Sequence, residues 1–337
     1  MDFAEHKSTA ARSSTPVHQT KLYNHPMKRL WIFSATFAAF AAVAGCWAAD
    51  NAGRSSTPAD KIELRARHYT PRKVFESPDK RIDESSGLAA SRRYPGYLWT
   101  HNDSGDTARL FLLSPTGATV ATVNLENANA FDWEDMAIGG EGENSWVYAG
   151  DIGDNFRWRS SLTVYRFREP EIDLTKTDQT VNLRAEKMTL EYTGQQSDAE
   201  TLIALPDSRL IIVTKVASGS RIWQTPKAFE DGAKQTMQHI GEYSFKGDKT
   251  LARLATGGDL SSDGRRLAVI TYTNLYEWIV PLNEGGAPDW ATLWKTTPQI
   301  SPLPELKQIE SVCYSADGEK VFVSSEGTPM PLYAMEP

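Results

Sequence analysis

Residues 308–326 read QIESVCYSADGEKVFVSSE, and residues 256–271 read TGGDLSSDGRRLAVIT. Each segment sets a short apolar run, an SxDG turn and a second apolar run in close succession. Gly and Asp allow the chain to reverse tightly, and the flanking Val, Ile, Phe and Tyr suit a pleated surface. Both segments therefore read as β-hairpins. The same grammar opens three more segments: Glu84-Ser85-Ser86-Gly87-Leu88, Asp132-Trp133-Glu134-Asp135-Met136 and Asp198-Ala199-Glu200-Thr201-Leu202. Aligned on residues 86, 134, 200, 258 and 310, the five are spaced by 48, 66, 58 and 52 residues.

A repeat of that period in a chain of strand-like runs, with no long helical pattern, predicts an all-β, single β-propeller with five blades. The 27 residues after Glu310 supply two strands and part of a third. Residues 61–86, with the strand-like run IELRARHYTPRKVFE, supply the missing piece. The N-terminal strand is thus expected to complete the last blade and remove its exposed edge. Six blades would require the interval 134–200 or 200–258 to contain a degenerate one.

The 337 residues are 40% hydrophobic and 23% charged, which permits a sizeable core. Ten Trp, 12 Tyr and 12 Phe favour β structure. A net charge of −7 and no basic stripe argue against nucleic acid as a partner. Residues 27–46, MKRLWIFSATFAAFAAVAGC, carry a basic start and an apolar stretch too short to span a bilayer comfortably. They read as a signal peptide starting at Met27, with 1–26 an extension or a mis-assigned start. Val43-Ala44-Gly45-Cys46 resembles a lipobox, which predicts acylation of Cys46 and a periplasmic or cell-surface lipoprotein. Cleavage after Ala48 or Ala49 would give a secreted protein instead, and retention of the segment a membrane anchor. Residues 47–60 form a polar tether, and 61–337 the propeller. Cys313, the one cysteine beyond the leader, is expected to be a small buried apolar residue.

In a propeller blade the innermost strand, a, runs beside strand b, so the start of a and the end of b share one face. Glu84, Asp132, Glu134, Asp135, Asp198, Glu200 and Glu310 precede or open a-strands. The runs HNDSGD (101–106) and GDIGDN (150–155), with Lys215 and Glu326, end b-strands. Crowded carboxylates need a cation, a basic partner or protons. An all-oxygen donor set points to Ca²⁺, with Asp132, Glu134, Asp151, Asp154, Glu200 and Glu310 as candidate ligands. Structural pairing with Lys215, Arg253 or Arg265 is the alternative. Trp133 is expected to pack between blades. The fourth repeat has TGGD where others place Glu, which leaves a gap in the acidic ring.

The run ESSGLAASRRYPGYLWTHNDSGDTARLFLLSPTG, then DWEDMA, VYAGDIGDN, DAETLI and QIESVCYSADGEKVFVSSEG, resembles a group of secreted bacterial β-propellers. DWED and GDIGDN are its most specific motifs, and the resemblance covers nearly all of 80–330. More distantly the chain is similar to NHL-type, regucalcin-like and phytase-like propellers. That similarity implies axial Ca²⁺ and, in some members, hydrolysis of lactones or phosphate esters. Two functions follow as expectations. One is a monomeric, Ca²⁺-ordered module that binds a small-molecule or protein ligand at the axial face and meets the membrane only through a lipid anchor. The other is a metal-assisted hydrolase of lactonase, esterase or phosphoesterase type. Its catalytic candidates are His101, Asp103, Glu134, Glu200 and Lys215.

Overall fold

The computed structural model describes residues 64–337; the expected leader, Cys46 and tether lie outside them. β1 (Thr70–Ser77) is reserved for the last blade. β2 (Ser85–Ala90), β3 (Leu98–Asn102), β4 (Arg109–Leu113) and β5 (Thr119–Leu125) form the antiparallel core of blade 1. Blade 2 begins with β6 (Trp133–Gly139), β7 (Trp146–Asp151) and β8 (Leu162–Arg168). The chain then adds β9 (Gln179–Leu183) to the outside of blade 1, parallel to β5, before β10 (Glu186–Glu191) joins blade 2. Blade 3 opens with β11 (Ala199–Ala204), β12 (Leu210–Thr214) and β13 (Ser220–Gln224). β14 (Lys234–Thr236) returns to β10, again parallel, and β15 (Gln238–Tyr243) completes blade 3. Blade 4 is β16 (Ala255–Leu260), β17 (Arg266–Thr271), β18 (Asn274–Ile279) and β19 (Gln299–Pro302). Blade 5 is β20 (Ile309–Tyr314), β21 (Val321–Ser325) and β22 (Met330–Glu336), closed by β1, which pairs from Thr70 opposite Glu336 to Ser77 opposite Met330.

The fold is therefore an all-β propeller of five blades, closed by the N-terminal strand. The two long intervals that left room for a sixth blade hold β9 and β14, which are extra outer strands on blades 1 and 2.

The inner strands β2, β6, β11, β16 and β20 adjoin in sequence, and β20 meets β2 to close the ring. Nearly every residue in them is buried on both faces, so they lack the alternation of a half-exposed strand. Apolar side chains fill the wedges between blades. Trp99, Leu110, Trp133 and Val147 pack between blades 1 and 2, and Tyr148, Leu202 and Ile212 between blades 2 and 3. Trp133 is fully buried and sits edge-on to His101 at 5.2 Å, in the packing role expected of it. Cys313 is likewise buried on β20.

Three buried carboxylates tie the wedges together. Asp135 Oδ2 accepts from the Leu202 and Gly258 N–H groups at 2.9 and 3.1 Å, and Oδ1 from that of Met136 at 2.8 Å. One side chain of blade 2 thus satisfies donors on blades 3 and 4 that no neighbouring strand reaches. Asp259 accepts from the Tyr314 N–H of blade 5 at 2.8 Å. Glu169 accepts from Trp99 Nε1 at 2.7 Å, from the Arg92 and Arg93 N–H groups at 3.0 and 2.9 Å, and from the hydroxyls of Ser91 and Ser145.

Asp135→Ala would leave three buried N–H groups without an acceptor. At about 1 kcal/mol per net hydrogen bond, the loss is about 3 kcal/mol. Urea unfolding of wild type and variant measures it as a lower midpoint; equal midpoints would contradict the cross-blade role.

Candidate metal centre at the acidic mouth

Each inner strand carries a β-bulge at the same place. Ser85 pairs with Asn102 and Gly87 with His101, so Ser86 is an extra residue in the ladder. Glu134, Glu200, Thr256 and Glu310 are skipped in the same way. A bulge re-aims the side chain of the extra residue. The fourth repeat is corrected by this register: its equivalent of Glu134 is Thr256, two residues before the Gly258 taken from the sequence alignment. Gly257 follows the bulge, where an added Cβ would collide with the Glu310 carbonyl. The hydroxyl members turn to the next blade: Ser86 Oγ donates to the Glu134 carbonyl and Thr256 Oγ1 to that of Ile309, the latter at 2.9 Å. The three glutamates of the ring carry carboxylates instead.

Those carboxylates meet others from the strand-a approaches and strand-b ends. Asp103, Glu310 and Glu326 form one group, Asp103, Asp132 and Glu134 a second, and Glu134, Asp198 and Glu200 a third. Within each group the donor oxygens lie within 4.8 Å of one another. Asp103 belongs to two groups, and so does Glu134. The seven side chains therefore form one arc over blades 5, 1, 2 and 3. Blade 4 closes the ring without an acid: Tyr272 donates to Glu310 Oε1 at 2.8 Å, and Lys215 of blade 3 pairs with Glu200 and lies 5.3 Å from the Tyr272 ring centre. Gly153 passes so close beneath the arc that a Cβ there would collide with Glu134 Oε1 and Asp132 Oδ2.

Glu134 and Glu200 are each only 3% exposed, and Glu310 5%. Burial, then the charges of Glu200 and Asp103, pushes the Glu134 carboxyl well above the ordinary range. Burial also raises Asp103 to about 6. Burial and the neighbouring Glu310 carboxylate raise Glu326 to about 8. Burial opposes charge on Lys215 too, but the adjoining Glu200 carboxylate outweighs it and holds the ammonium charged. One lysine cannot neutralise seven carboxylates. Glu200 Oε2 and Glu310 Oε2 are buried with no hydrogen-bond partner among the described residues. Orphaned carboxylate oxygens in an all-oxygen cluster fit a hard cation. These residues could hold a metal ion.

Of the metal candidates read from the sequence, Asp132, Glu134, Glu200 and Glu310 converge, joined by the catalytic candidate Asp103 and by Asp198 and Glu326 of the same expected face, whereas Glu84 and Asp135 lie outside the three groups. Asp151 and Asp154 do other work. Asp151 pairs with Arg159 at 2.7 Å, and Asp154 accepts from the Trp158 and Arg159 N–H groups at 2.9 and 3.1 Å, which shapes the GDIGDN loop. His101 lies beneath the mouth, fully buried, with Nδ1 2.8 Å from the Asn102 carbonyl and Nε2 without a partner; burial lowers its pKa. Arg253 and Arg265 make no ion pair among the described residues. Three features were missed in the sequence: Arg159, Tyr272 and an aromatic shelf. Tyr272 was findable, because it follows strand b just as Asp103, Lys215 and Glu326 do. The shelf comprises Phe131, Phe156 and Trp158, exposed by 59%, 78% and 70%. Phe156 and Trp158 lie 5.2 Å apart, and Arg159 lies 5.1 Å from the Phe131 ring centre.

The raised carboxyls set a pH dependence for the cation-free protein. Unfolded, they titrate at about 4, whereas Asp103 titrates at about 6 and Glu326 at about 8 in the fold. Across that window the folded chain holds protons that the unfolded chain has released, so stability falls as pH rises. In EDTA the melting temperature should be higher at pH 5 than at pH 8, with Glu326→Gln flattening the upper part of the decline. A melting temperature that climbs across this window would refute the assignment.

No family model matches the chain, and neither does any curated protein. Solved structures similar in fold include Myxococcus xanthus glutaminyl cyclase, 11% identical with a TM-score of 0.42, where 81% of this chain and 99% of that one are covered. The PQQ-bound aldose sugar dehydrogenase of Streptomyces coelicolor is 12% identical with a TM-score of 0.42 and the same coverage. The WD40 domain of Neurospora crassa Pan2 is 9% identical with a TM-score of 0.40, covering 81% of this chain and 97% of that one.

Proposed function

We propose that the acidic mouth binds Ca²⁺ and, through it, an oxygen-rich ligand that rests partly on the aromatic shelf. The observation that carries this reading is the seven-carboxylate arc with two buried oxygens, Glu200 Oε2 and Glu310 Oε2, left without a partner. Ca²⁺ accepts many oxygen donors in flexible geometry, which suits side chains contributed by four separate blades. A bound cation would replace the protons that the raised carboxyls otherwise retain. It would also offer open positions to hydroxyl or carboxylate groups of a ligand. Phe131, Phe156 and Trp158 give such a ligand an apolar footing beside Asp132, and large exposed aromatic patches mark interaction sites. The module is proposed to work outside the cytoplasm, anchored through acylated Cys46.

A second reading, a metal-assisted hydrolase, is favoured by the sharing of Asp103 and Glu134 between adjacent carboxylate groups. Shared carboxylates are how paired cations are held to clamp the attacking and leaving oxygens of a displacement. Lys215 and Tyr272 would then stand where charge develops.

Calorimetry and thermal shift with Ca²⁺ and EDTA test the cation. Saturation at a hundredfold over Kd should add about 2.7 kcal/mol of stability, and Glu134→Gln should lose most of that gain because it serves two groups. No response of the wild type to either reagent would sink the cation reading. A screen of lactones, carboxylic esters and phosphate esters on the same two proteins separates the functions: turnover abolished by Glu134→Gln selects the hydrolase, and Ca²⁺ binding without turnover selects the binding module. Metabolic labelling with palmitate should mark wild type and spare Cys46→Ala; equal labelling would exclude the anchor.

A further inference from the structure

The inner strands have a second set of ends, and there the chemistry reverses. The hairpin turns joining strands a and b of all five blades enclose a cavity of about 430 Å³. Ile138, Leu205, Pro206 and Leu260 form the apolar part of its wall, and Ser261 and Ser262 add hydroxyls. Arg92, in the turn of blade 1, is its single basic side chain. The guanidinium reaches across to blade 5, where Nη1 lies 3.3 Å from the Ala316 carbonyl. Its Nε is buried and has no partner, and among the described residues Arg92 forms no ion pair.

Nearby acids do not supply the missing acceptor. Asp259 is fully buried behind the cavity and spends its two oxygens on the Leu260 and Tyr314 N–H groups, each at 2.8 Å. Glu141 stands on the outer wall, exposed to water. Glu169 grips the Arg92 main chain, accepting its N–H at 3.0 Å, and so fixes the turn without pairing with the guanidinium. A guanidinium keeps its charge at any physiological pH and presents a planar fork that matches a carboxylate. An arginine that forms no ion pair and lines a ligand-sized cavity with a partly apolar wall is a recognition site for a small anion.

We infer that this second mouth binds a small carboxylic acid with an apolar body, its carboxylate on Arg92 and its hydrocarbon part against Leu205, Pro206 and Leu260. The site is independent of the cation arc, since the two lie at opposite ends of the inner strands. The apolar wall residues favour a ligand with a hydrocarbon body over a bare inorganic anion, and the arginine favours an anion over a neutral ligand.

Calorimetry with hexanoate as the probe, on the full chain in EDTA, tests the inference without involving the acidic mouth. Hexanoate should bind saturably, one per chain, and at least tenfold tighter than the neutral hexanamide. Arg92→Gln should weaken hexanoate at least tenfold. So should Ser262→Trp, which places an indole at the cavity from an exposed turn position. Glu134→Gln should leave hexanoate binding unchanged. Absence of saturable hexanoate binding by the wild type would overturn the inference. So would equal affinities for hexanoate and hexanamide, or affinities unmoved by both Arg92→Gln and Ser262→Trp.

Discussion

A propeller ring holds only if its last blade is complete enough to pack against its first. Here closure depends on β1 hydrogen-bonding to β22, although the two strands stand at opposite ends of the described chain. With that pairing, blade 5 is complete and β20 can pack against β2. Only then do five inner strands share one axis, and only then do their ends form two mouths. Glu277 reinforces the seam: it accepts from the hydroxyls of Tyr69 and Tyr314 at 2.5 and 3.0 Å and pairs with Arg266 at 2.8 Å. The side chain of an N-terminal residue is thereby locked into the junction of blades 4 and 5.

Within the closed ring, one backbone irregularity repeated five times creates the acidic mouth. An unbulged strand would pair Glu134, Glu200 and Glu310 in the ladder and send their side chains into the wedges between blades. The extra residue turns them out of that pattern. Whether a blade contributes charge then depends on one residue type. Glutamate supplies a carboxylate, whereas Ser86 and Thr256 bond to the next blade and become part of the scaffold. The arc is accordingly uneven, with two carboxylates each from blades 5, 2 and 3, where the bulge residue is Glu, one from blade 1 and none from blade 4.

The two mouths differ in what they leave unsatisfied. At one, carboxylate oxygens outnumber donors; at the other, the Arg92 Nε lacks an acceptor among the described residues and the guanidinium has no ion-pair partner. Buried charge is tolerated only when something pairs with it. At the acidic mouth Lys215 and Tyr272 provide part of that balance, and Glu200 Oε2 and Glu310 Oε2 stay unpartnered among the described residues. Both proposed sites rest on this shared physical ground.

The repeat spacing, the acidic strand starts and the incomplete fourth repeat were all legible in the sequence, because each is a local pattern of residue types along the chain. They sufficed for the five-bladed ring, its closure by the N-terminal strand, and the placing of all seven converging carboxylates on one face, four of them as metal ligands. Asp151 and Asp154 look identical in sequence to the residues that do converge. They were separated from them by Arg159, whose pairing depends on how the GDIGDN loop folds back. Thr256 was misread as Gly258 because bulge register is set by hydrogen bonding to the neighbouring strand, which composition does not encode. Arg92 gave no signal at all. Its significance comes from five turns, distant in sequence, meeting around it, and only the closed tertiary structure brings them together.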